Sequence, residues 1–155
     1  MVACDSVASS LWPVRNSAAG LFTALMQRIF GPAVRRPPDE LQWRESCLPA
    51  QKFFGKYSGL FDYFQDALKQ STNRIEKYDP NDRQTSTSYC ALLVLQRLYP
   101  TVGDSAYLRD LTDMVIKCAF HPELRLRQAA AEAAVLFLSE AQLQNCLQKF
   151  MVSFR

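Results

Sequence analysis

Apolar residues in this chain recur at three- and four-residue spacing, which is the spacing of one face of an α-helix. The clearest case is the stretch from Leu11 to Gly31. Pro13 suits the first turn of a helix, and Gly31 followed by Pro32 is a stop signal. The apolar face of this stretch comprises Val14, Ala18, Leu21, Phe22, Leu25, Met26 and Ile29. We therefore predict an amphipathic helix that packs into a protein core.

The same spacing predicts helices along the rest of the chain. Between Tyr57 and Tyr78, aromatic and aliphatic residues fall on one side and charged residues on the other. The run from Tyr89 to Tyr99 is apolar almost throughout and predicts a buried helix that ends before Pro100. The remaining predicted helices run from Asp104 or Ser105 to Phe120, from His121-Pro122 to Leu138, and onward from a capping box at Ser139 and Gln142. No stretch has the alternation of a strand, so the predicted fold class is all-α.

Two polar segments interrupt the helical pattern and are expected to be longer loops. Residues 32–50 are rich in proline and charge, and residues 79–88 are polar with turn-forming residues at their start. A loop as long as the first is uncommon in a compact domain and is more often functional than a short one. By length, residues 1–155 are expected to form a single segment.

One arginine in the first long helix lies on the apolar side. On a helical projection, Arg15 falls within the apolar sector. The pattern returns after the His121-Pro122 turn, where Arg127 falls among apolar neighbours. An unpaired buried charge is costly, so each guanidinium needs a carboxylate or carbonyl partner. We therefore expect Arg15 and Arg127 to be largely buried, to have one such partner each, and to play a structural role.

Both arginine stretches resemble the second helix of a HEAT repeat, in which an Asp-Pro turn leads into Val-Arg-x-x-Ala. The residues from Val14 to Ala18 match that core, and those from Leu126 to Ala130 match it with leucine in place of valine. His121 stands where the HEAT pattern has aspartate. The resemblance implies a segment of a HEAT/armadillo-like α-solenoid made of stacked helix pairs.

Composition and charge narrow the class of protein. The 155 residues are 48% apolar and 21% charged, which is typical of a globular protein and not of a disordered one. The net charge of +3 is too small to imply nucleic-acid binding by itself. The positive excess lies at the front, where Asp5 is the only acid in the first 38 residues. Such an excess indicates either a solvated basic face or a surface that recognises phosphates.

The cysteines and the apolar runs bear on the compartment. Five scattered cysteines without C-x-x-C spacing argue against a disulfide framework or a zinc site and favour a reducing, cytoplasmic location. The N-terminus lacks the pattern of a signal peptide, and no apolar run is long enough for a transmembrane segment. The five cysteines of the chain are Cys4, Cys47, Cys90, Cys118 and Cys146.

The sequence lacks the common catalytic and cofactor-binding motifs. It contains no glycine-rich phosphate loop, no G-x-S-x-G and no H-E-x-x-H. The single histidine, His121, has no local partners for general-base catalysis. We therefore expect no enzymatic activity, no cofactor and no metal.

The long loop and the helix before it carry the candidate contact residues. Basic and aromatic side chains together can contact RNA phosphates and bases. The alternative is a connector whose Trp43 packs against the helices. The candidate contacts to RNA or a partner are Arg15, Asn16, Arg28, Arg35, Arg36, Trp43 and Arg44.

A more specific resemblance rests on LWPVRNSAAGLFTALMQRIFG, residues 11–31, which is similar to the signature of the thyroid adenoma-associated protein family. Further matching blocks follow in the same order: Lys52-Phe53-Phe54, Leu92 to Tyr99, and the helix of Arg127. Members of that family are very long HEAT/armadillo-type solenoids. The resemblance therefore implies that this chain is part of a much longer solenoid.

The resemblance also implies a function. It indicates a non-catalytic subunit that supports 2′-O-ribose methylation in the tRNA anticodon loop, with a tRNA 2′-O-methyltransferase subunit as partner and tRNA as a second candidate partner. The methyltransferase would hold S-adenosylmethionine. The alternative is a protein-interaction scaffold, since animal members have been linked to regulation of the endoplasmic reticulum calcium pump. Binding that weakens steeply with salt would favour the tRNA role.

Overall fold

The chain is described by a computed structural model covering residues 1–32, 46–73, 85–101 and 108–138, together with Gln144 and Gln148, which are helical and exposed. Apart from one short β-ladder, the regular structure in these ranges is helical, which confirms the predicted all-α class. The helices are α1 (Val2–Val7), α2 (Trp12–Phe30), α3 (Ala50–Lys56), α4 (Gly59–Asn73), α5 (Thr85–Leu95), α6 (Arg109–Cys118) and α7 (Leu124–Phe137).

The helices pack as pairs, and the pairs stack. Helix α1 packs on α2, α4 on α5, and α6 on α7. Helix α4 also contacts α6, and α5 contacts α7, so the second of these pairs lies against the third with like helices adjacent. Helix α1 in turn contacts α5. This stacking of neighbouring pairs is the arrangement of an α-solenoid, as the sequence predicts.

The core lies between the stacked pairs. Leu68 of α4, Leu92 of α5, Leu111 of α6 and Leu126 of α7 are fully buried there. Helix α7 contributes mainly alanines, whose small side chains let neighbouring helix backbones approach closely. The alanines on its buried side are Ala129, Ala130, Ala133 and Ala134.

A group of aromatic rings joins the end of α2 to α3 and α4. The rings of Phe30 and Phe53 stack with their centroids 5.7 Å apart. Phe54 meets Phe61 of α4 edge to face at 5.2 Å. The aromatic stripe of the predicted helix after Tyr57 therefore lies against the core, with Phe64 fully buried.

Helix α2 ends where the sequence predicts but packs differently. Gly31 has a φ of 81°, a left-handed conformation that favours glycine, so the helix stops there. In the second half, Phe30 is buried and Phe22, Met26 and Ile29 pack against the core. Three other residues of the predicted apolar face, Val14, Leu21 and Leu25, remain 39%, 50% and 44% exposed. The expectation that the whole apolar face would be core is wrong for these three residues, because no described element lies over them.

Two short segments form a parallel β-ladder that the sequence did not predict. Strand β1 (Leu48–Pro49) pairs with β2 (Leu98–Tyr99), with Leu48 opposite Leu98. The predicted helix from Tyr89 to Tyr99 is instead α5, which begins at Thr85 and ends at Leu95. The helix stops early because the chain from Arg97 onward bonds to β1, where the Leu48 N–H donates to the Arg97 carbonyl at 2.9 Å.

Both predicted loops are shorter than expected where the structure describes them. In the first, β1 and the start of α3 at Ala50 replace its last residues. In the second, residues 85–88 belong to α5, because buried Ser88 donates to the Ala67 carbonyl at 2.8 Å and holds this turn against α4. The predicted caps at Asp104 or Ser105 and at Ser139 lie outside the described residues, as do loop residues 33–45 and 79–84.

Among the described helices, none combines the length and the apolarity that crossing a bilayer requires.

Candidate functional site

Arg15 binds the turn that precedes its own helix. Its Nη1 donates to the carbonyls of Ser9 and Ser10, both at 2.9 Å. In the same turn, the Ser9 hydroxyl accepts a hydrogen bond from the Leu11 N–H at 3.2 Å. The guanidinium therefore satisfies carbonyls that lie between α1 and α2 and that no helix ladder can reach.

Arg127 does the same in the turn between α6 and α7. Its Nη1 donates to the carbonyls of His121 and Pro122 at 2.9 and 2.7 Å. The Nδ1 of His121 accepts from the Glu123 N–H at 3.1 Å. Each donor and acceptor lies 112 positions after its counterpart in the first turn, so these two described turns share one hydrogen-bond geometry.

The expected carbonyl partners of both arginines are present, but the expected deep burial is not. Arg15 and Arg127 are each only half-buried. A guanidinium at the surface end of a turn keeps part of its hydration while Nη1 binds carbonyls, so desolvation costs less than it would in a sealed core. For Arg15, these hydrogen bonds explain the position of the guanidinium, and no bound ligand is needed to explain it.

His121 replaces the aspartate of the HEAT pattern as an acceptor. The residue is 1% exposed. Burial lowers the pKa of its imidazole, the Glu123 carboxylate opposes that shift, and the Arg127 charge adds to it. A neutral imidazole leaves Nδ1 free to accept the Glu123 N–H, which is the task of the usual carboxylate at this turn.

A cavity of about 360 Å³ opens between the end of α2, strand β1 and helix α3. We call it the basic cleft. Arg28 lies in the last turn of α2, and Lys52 and Lys56 lie one helical turn apart on α3, so both project from the same face. The residues that line it are Arg28, Ile29, Leu48, Lys52, Phe53, Lys56 and Tyr57. Three cations with no acid among these residues make the cleft suited to an anion.

The cations of the basic cleft are available to a ligand. Arg28, Lys52 and Lys56 are all exposed. The Lys56 Nζ lies 5.5 Å from the centroid of the Tyr57 ring, within cation–π range. Of the candidate contacts in the described ranges, Arg15, Asn16 and Arg28, only Arg28 lines this cleft. The two lysines were missed because neighbouring charges on a short helix usually form a solvated face, and only the fold brings α2 beside them.

Arg97 is a third residue that the sequence pattern did not indicate as a candidate. Its Nη2 donates to the carbonyls of Phe30 and Ser46, each at 3.0 Å, and its Nε donates to Ser46 at 3.1 Å. The guanidinium also lies 5.4 Å from the Phe30 ring centroid. The sequence did contain a signal for this role, because Arg97 is the single charged residue in the apolar run from Tyr89 to Tyr99. As with Arg15, a charged side chain among apolar neighbours needs a polar partner.

Arg97 fixes both ends of the segment that carries most of the candidate contacts. Phe30 lies just before residues 33–45, and Ser46 follows directly. Arg35, Arg36, Trp43 and Arg44 lie within that segment, outside the described residues, and the structure does not place them. Asn16 is exposed on α2, away from the last turn that lines the basic cleft.

The described cysteines are free and buried. Burial raises the pKa of the Cys118 thiol to about 12. A hydrogen bond between Cys4 of α1 and Cys90 of α5 lowers the pKa of Cys4 and raises that of Cys90. In the described ranges, no group of three or more histidine, cysteine or acidic side chains is arranged to hold a metal ion.

The family described as Trm732, C-terminal TPR repeats, matches residues 15–154. The tRNA (32-2'-O)-methyltransferase regulator THADA of Canis lupus familiaris is 29% identical over 147 residues, covering 92% of this chain and 7% of the relative. The corresponding regulator of Drosophila melanogaster is 29% identical, covering 93% of this chain and 9% of its own length.

A relative from Schizosaccharomyces pombe matches a similar share of the chain. The tRNA (32-2'-O)-methyltransferase regulator trm732 of Schizosaccharomyces pombe is 27% identical over 133 residues, covering 82% of this chain and 8% of the relative. The chain thus spans less than a tenth of the length of these curated relatives. No solved structure matches the chain.

Proposed function

Because this chain belongs to the family of Trm732 C-terminal TPR repeats, we propose that it is a non-catalytic helical segment of a regulator of tRNA 2′-O-methylation. The names of its relatives, regulators of a tRNA (32-2'-O)-methyltransferase, support this role. Stacked helix pairs also suit it, because they give a long surface that can bind RNA and a partner protein together. The modified nucleotide is proposed to lie in the tRNA anticodon loop.

The chemistry of methyl transfer is assigned to the partner methyltransferase. That subunit would bind S-adenosylmethionine and activate the ribose hydroxyl, and this chain would help hold the enzyme and the tRNA in place. Orientation of bound reactants is a recognised contribution to rate. We expect the 155-residue chain alone neither to bind S-adenosylmethionine nor to methylate tRNA, as isothermal titration and a methyl-transfer assay would test.

The basic cleft is the observation that carries the RNA part of the proposal. Its three exposed cations surround one cavity, and phosphate groups are bound most often by arginine and lysine. It opens beside the point where Arg97 holds Phe30 and Ser46, so it adjoins both ends of the segment with Arg35, Arg36 and Trp43.

The salt dependence of tRNA binding tests this role of the basic cleft. Each neutralised phosphate contributes roughly 0.7 to the slope of log affinity against log salt for single-stranded RNA. In the full-length protein, Lys52→Ala with Lys56→Ala should therefore weaken tRNA binding and flatten the slope by about 1.4. The rate of methylation by the partner enzyme at limiting tRNA should fall together with the tRNA affinity.

A matched control variant distinguishes an effect of the basic cleft on tRNA binding from an effect of total charge. Lys69 of α4 and Lys117 of α6 are exposed lysines that do not line the cleft. Lys69→Ala with Lys117→Ala removes the same charge and should leave the affinity and the slope near those of the wild type. Equal losses of tRNA affinity in the two double variants, or no loss in either, would reject the cleft as an RNA site.

The second candidate function is a protein-interaction scaffold, including the proposed link to the calcium pump. The exposed apolar side chains of the first helix pair favour a protein contact in general, with Trp12 66% exposed and Leu21 50% exposed. Binding through such a face would be insensitive to salt. A partner complex whose affinity is unchanged between low and high salt, together with no tRNA binding, would favour this alternative.

We also propose a reducing compartment, the cytoplasm, for this chain. Support comes from the cysteines in the described ranges, all of which are free thiols in buried positions.

A further inference from the structure

The walls of the basic cleft come from parts of the chain that are far apart in sequence. Arg28 lies at the end of α2, whereas Leu48 belongs to β1, and Lys52 and Lys56 belong to α3. Residues 33–45 separate the first wall from the other two. The spacing between the three cations therefore depends on the contacts that hold the end of α2 beside β1 and α3.

Arg97 joins these walls from outside the cleft. Its Nη2 donates to the carbonyls of Phe30, the last residue of α2, and Ser46, each at 3.0 Å, and its Nε donates to the Ser46 carbonyl at 3.1 Å. Its own carbonyl accepts the Leu48 N–H at 2.9 Å. The side chain thus holds the end of α2 and the main chain holds β1, although Arg97 does not line the cavity.

The contact with Phe30 fixes the α2 wall in two ways. The Phe30 carbonyl is one of the last four of its helix, which have no partner within the helix, and a cation there interacts favourably with the negative end of the helix dipole. The guanidinium also lies 5.4 Å from the Phe30 ring centroid, and that ring stacks at 5.7 Å on Phe53, which lines the cleft. Arg97 therefore holds the last turn of α2, which carries Arg28, and a ring that reaches the cavity.

We propose that Arg97 is a positioning residue of the basic cleft: it holds Arg28 beside Lys52 and Lys56 so that the three cations act on the same RNA phosphates. This role rests on the proposed function of the cleft and adds to it a residue that affects tRNA affinity without binding tRNA. The guanidinium is half-buried and its Nε and Nη2 bind carbonyls, so it serves the walls of the cleft. A planar guanidinium holds two carbonyls in fixed directions, which the ammonium of lysine does not reproduce.

The variant Arg97→Met tests the role in the full-length protein. It removes the three side-chain hydrogen bonds but keeps an unbranched side chain, and it should weaken tRNA binding although every cation of the cleft remains. Lys52→Ala with Lys56→Ala acts on the same site, so the two losses should not multiply. The combined variant should bind tRNA at least about twofold more tightly than the product of the separate losses predicts. Filter binding would measure all four affinities.

The variant Arg97→Lys separates the geometry of the side chain from its charge. It keeps the positive charge near the cleft but loses the fork that reaches both carbonyls. Its tRNA affinity should therefore stay clearly below that of the wild type. If Arg97→Met fails to fold, this variant carries the same comparison with the lysine double variant.

The variant Arg127→Met is the matched control for a general loss of stability. Arg127 is also half-buried and donates to two backbone carbonyls, in a turn that does not line the cleft. This variant should lower the melting temperature but leave tRNA affinity within about twofold of the wild type. Binding is measured at a temperature at which circular dichroism shows every variant to be folded.

Amide hydrogen exchange measures the positioning without RNA. In Arg97→Met, peptides that contain Gly31 and Leu48 should exchange faster than in the wild type, because the end of α2 and strand β1 are no longer joined by the side chain. Peptides from α7 should keep their exchange rates. In Arg127→Met the pattern should be reversed.

The following outcomes overturn the proposal. Wild-type tRNA affinity in Arg97→Met, with weakened binding in the lysine double variant, would keep the cleft as an RNA site and reject Arg97 as its positioning residue. Full recovery of affinity in Arg97→Lys would assign the effect to charge. Unchanged exchange at Gly31 and Leu48 would show that the walls do not depend on Arg97. Wild-type affinity in the lysine double variant would reject the RNA role of the cleft and this role together.

Discussion

Arg15 and Arg127 make the same two hydrogen bonds 112 positions apart. Each guanidinium donates through Nη1 to the carbonyls six and five positions before it, at distances between 2.7 and 2.9 Å. In each turn a side chain at the first of these positions, Ser9 or His121, accepts a backbone N–H two residues on. The repeat is therefore one of turn geometry as well as sequence, and it relates the first helix pair to the last described pair.

Loss of the Arg127 guanidinium should destabilise the protein. Arg127→Ala leaves the His121 and Pro122 carbonyls without this donor, and we expect a loss of about 1–3 kcal/mol in the free energy of unfolding. The control is Arg125→Ala, whose 73% exposed side chain pairs with Glu123 at the surface and should cost less than about 1 kcal/mol. Urea unfolding followed by circular dichroism would compare the two, and equal losses would argue against a structural role for the turn.

His121 should make stability fall in mild acid. Its pKa is lowered in the folded chain, mainly by burial, so the unfolded chain binds the proton more readily. The stabilisation is complete above the unfolded pKa of about 6.5 and is lost as the pH falls from there through the lower folded value. Unfolding curves at pH 7.5 and 5.5 would measure this loss.

The variant His121→Asn isolates that effect. Asparagine retains an acceptor for the Glu123 N–H but does not titrate, so the stability difference between wild type and variant should change across this pH range. A difference in stability that stays constant with pH would show that His121 does not contribute to the loss of stability in mild acid.

The isolated 155-residue chain should self-associate. Val14, Leu21 and Leu25 form an apolar strip that no described element covers, and such strips drive association in water. Sedimentation at increasing concentration should show oligomers or a broad distribution, and Val14→Lys with Leu21→Lys should reduce it. The control Val135→Lys changes a residue of similar exposure, 49%, on α7 and should not. A monomer with a sharp melting transition would contradict this expectation.

Arg35 and Arg36 should contribute to RNA binding if the proposed tRNA role is correct. In the full-length protein, Arg35→Ala with Arg36→Ala should weaken tRNA binding and flatten its salt dependence. The change in unfolding free energy should be small, because both residues lie outside the predicted helix stripes. Filter binding at several salt concentrations and a methylation assay with the partner enzyme would measure the effects. Unchanged affinity and unchanged methylation would remove this segment from the mechanism and favour the scaffold.

Sequence determined the features of this protein that depend on near neighbours. Helix periodicity is local, so the all-α class and the end of α2 at Gly31 could be predicted. The need of Arg127 for a carboxylate or carbonyl partner could also be predicted, and the carbonyls that it binds, those of His121 and Pro122, lie only six and five positions away. The family followed from the motif around Arg15 and the blocks after it, and residues 15–154 match the family model.

Tertiary structure alone decided which faces are covered and which cations meet. Val14 and Leu126 occupy matching places in the same motif, yet one is 39% exposed and the other fully buried, because only α7 has α4–α5 against it. Arg97 finds its partners 51 and 67 positions away at Ser46 and Phe30. The basic cleft likewise needs α2 and α3 side by side. Contacts between residues so far apart depend on how whole helices stack, and a local pattern carries no information about that stacking.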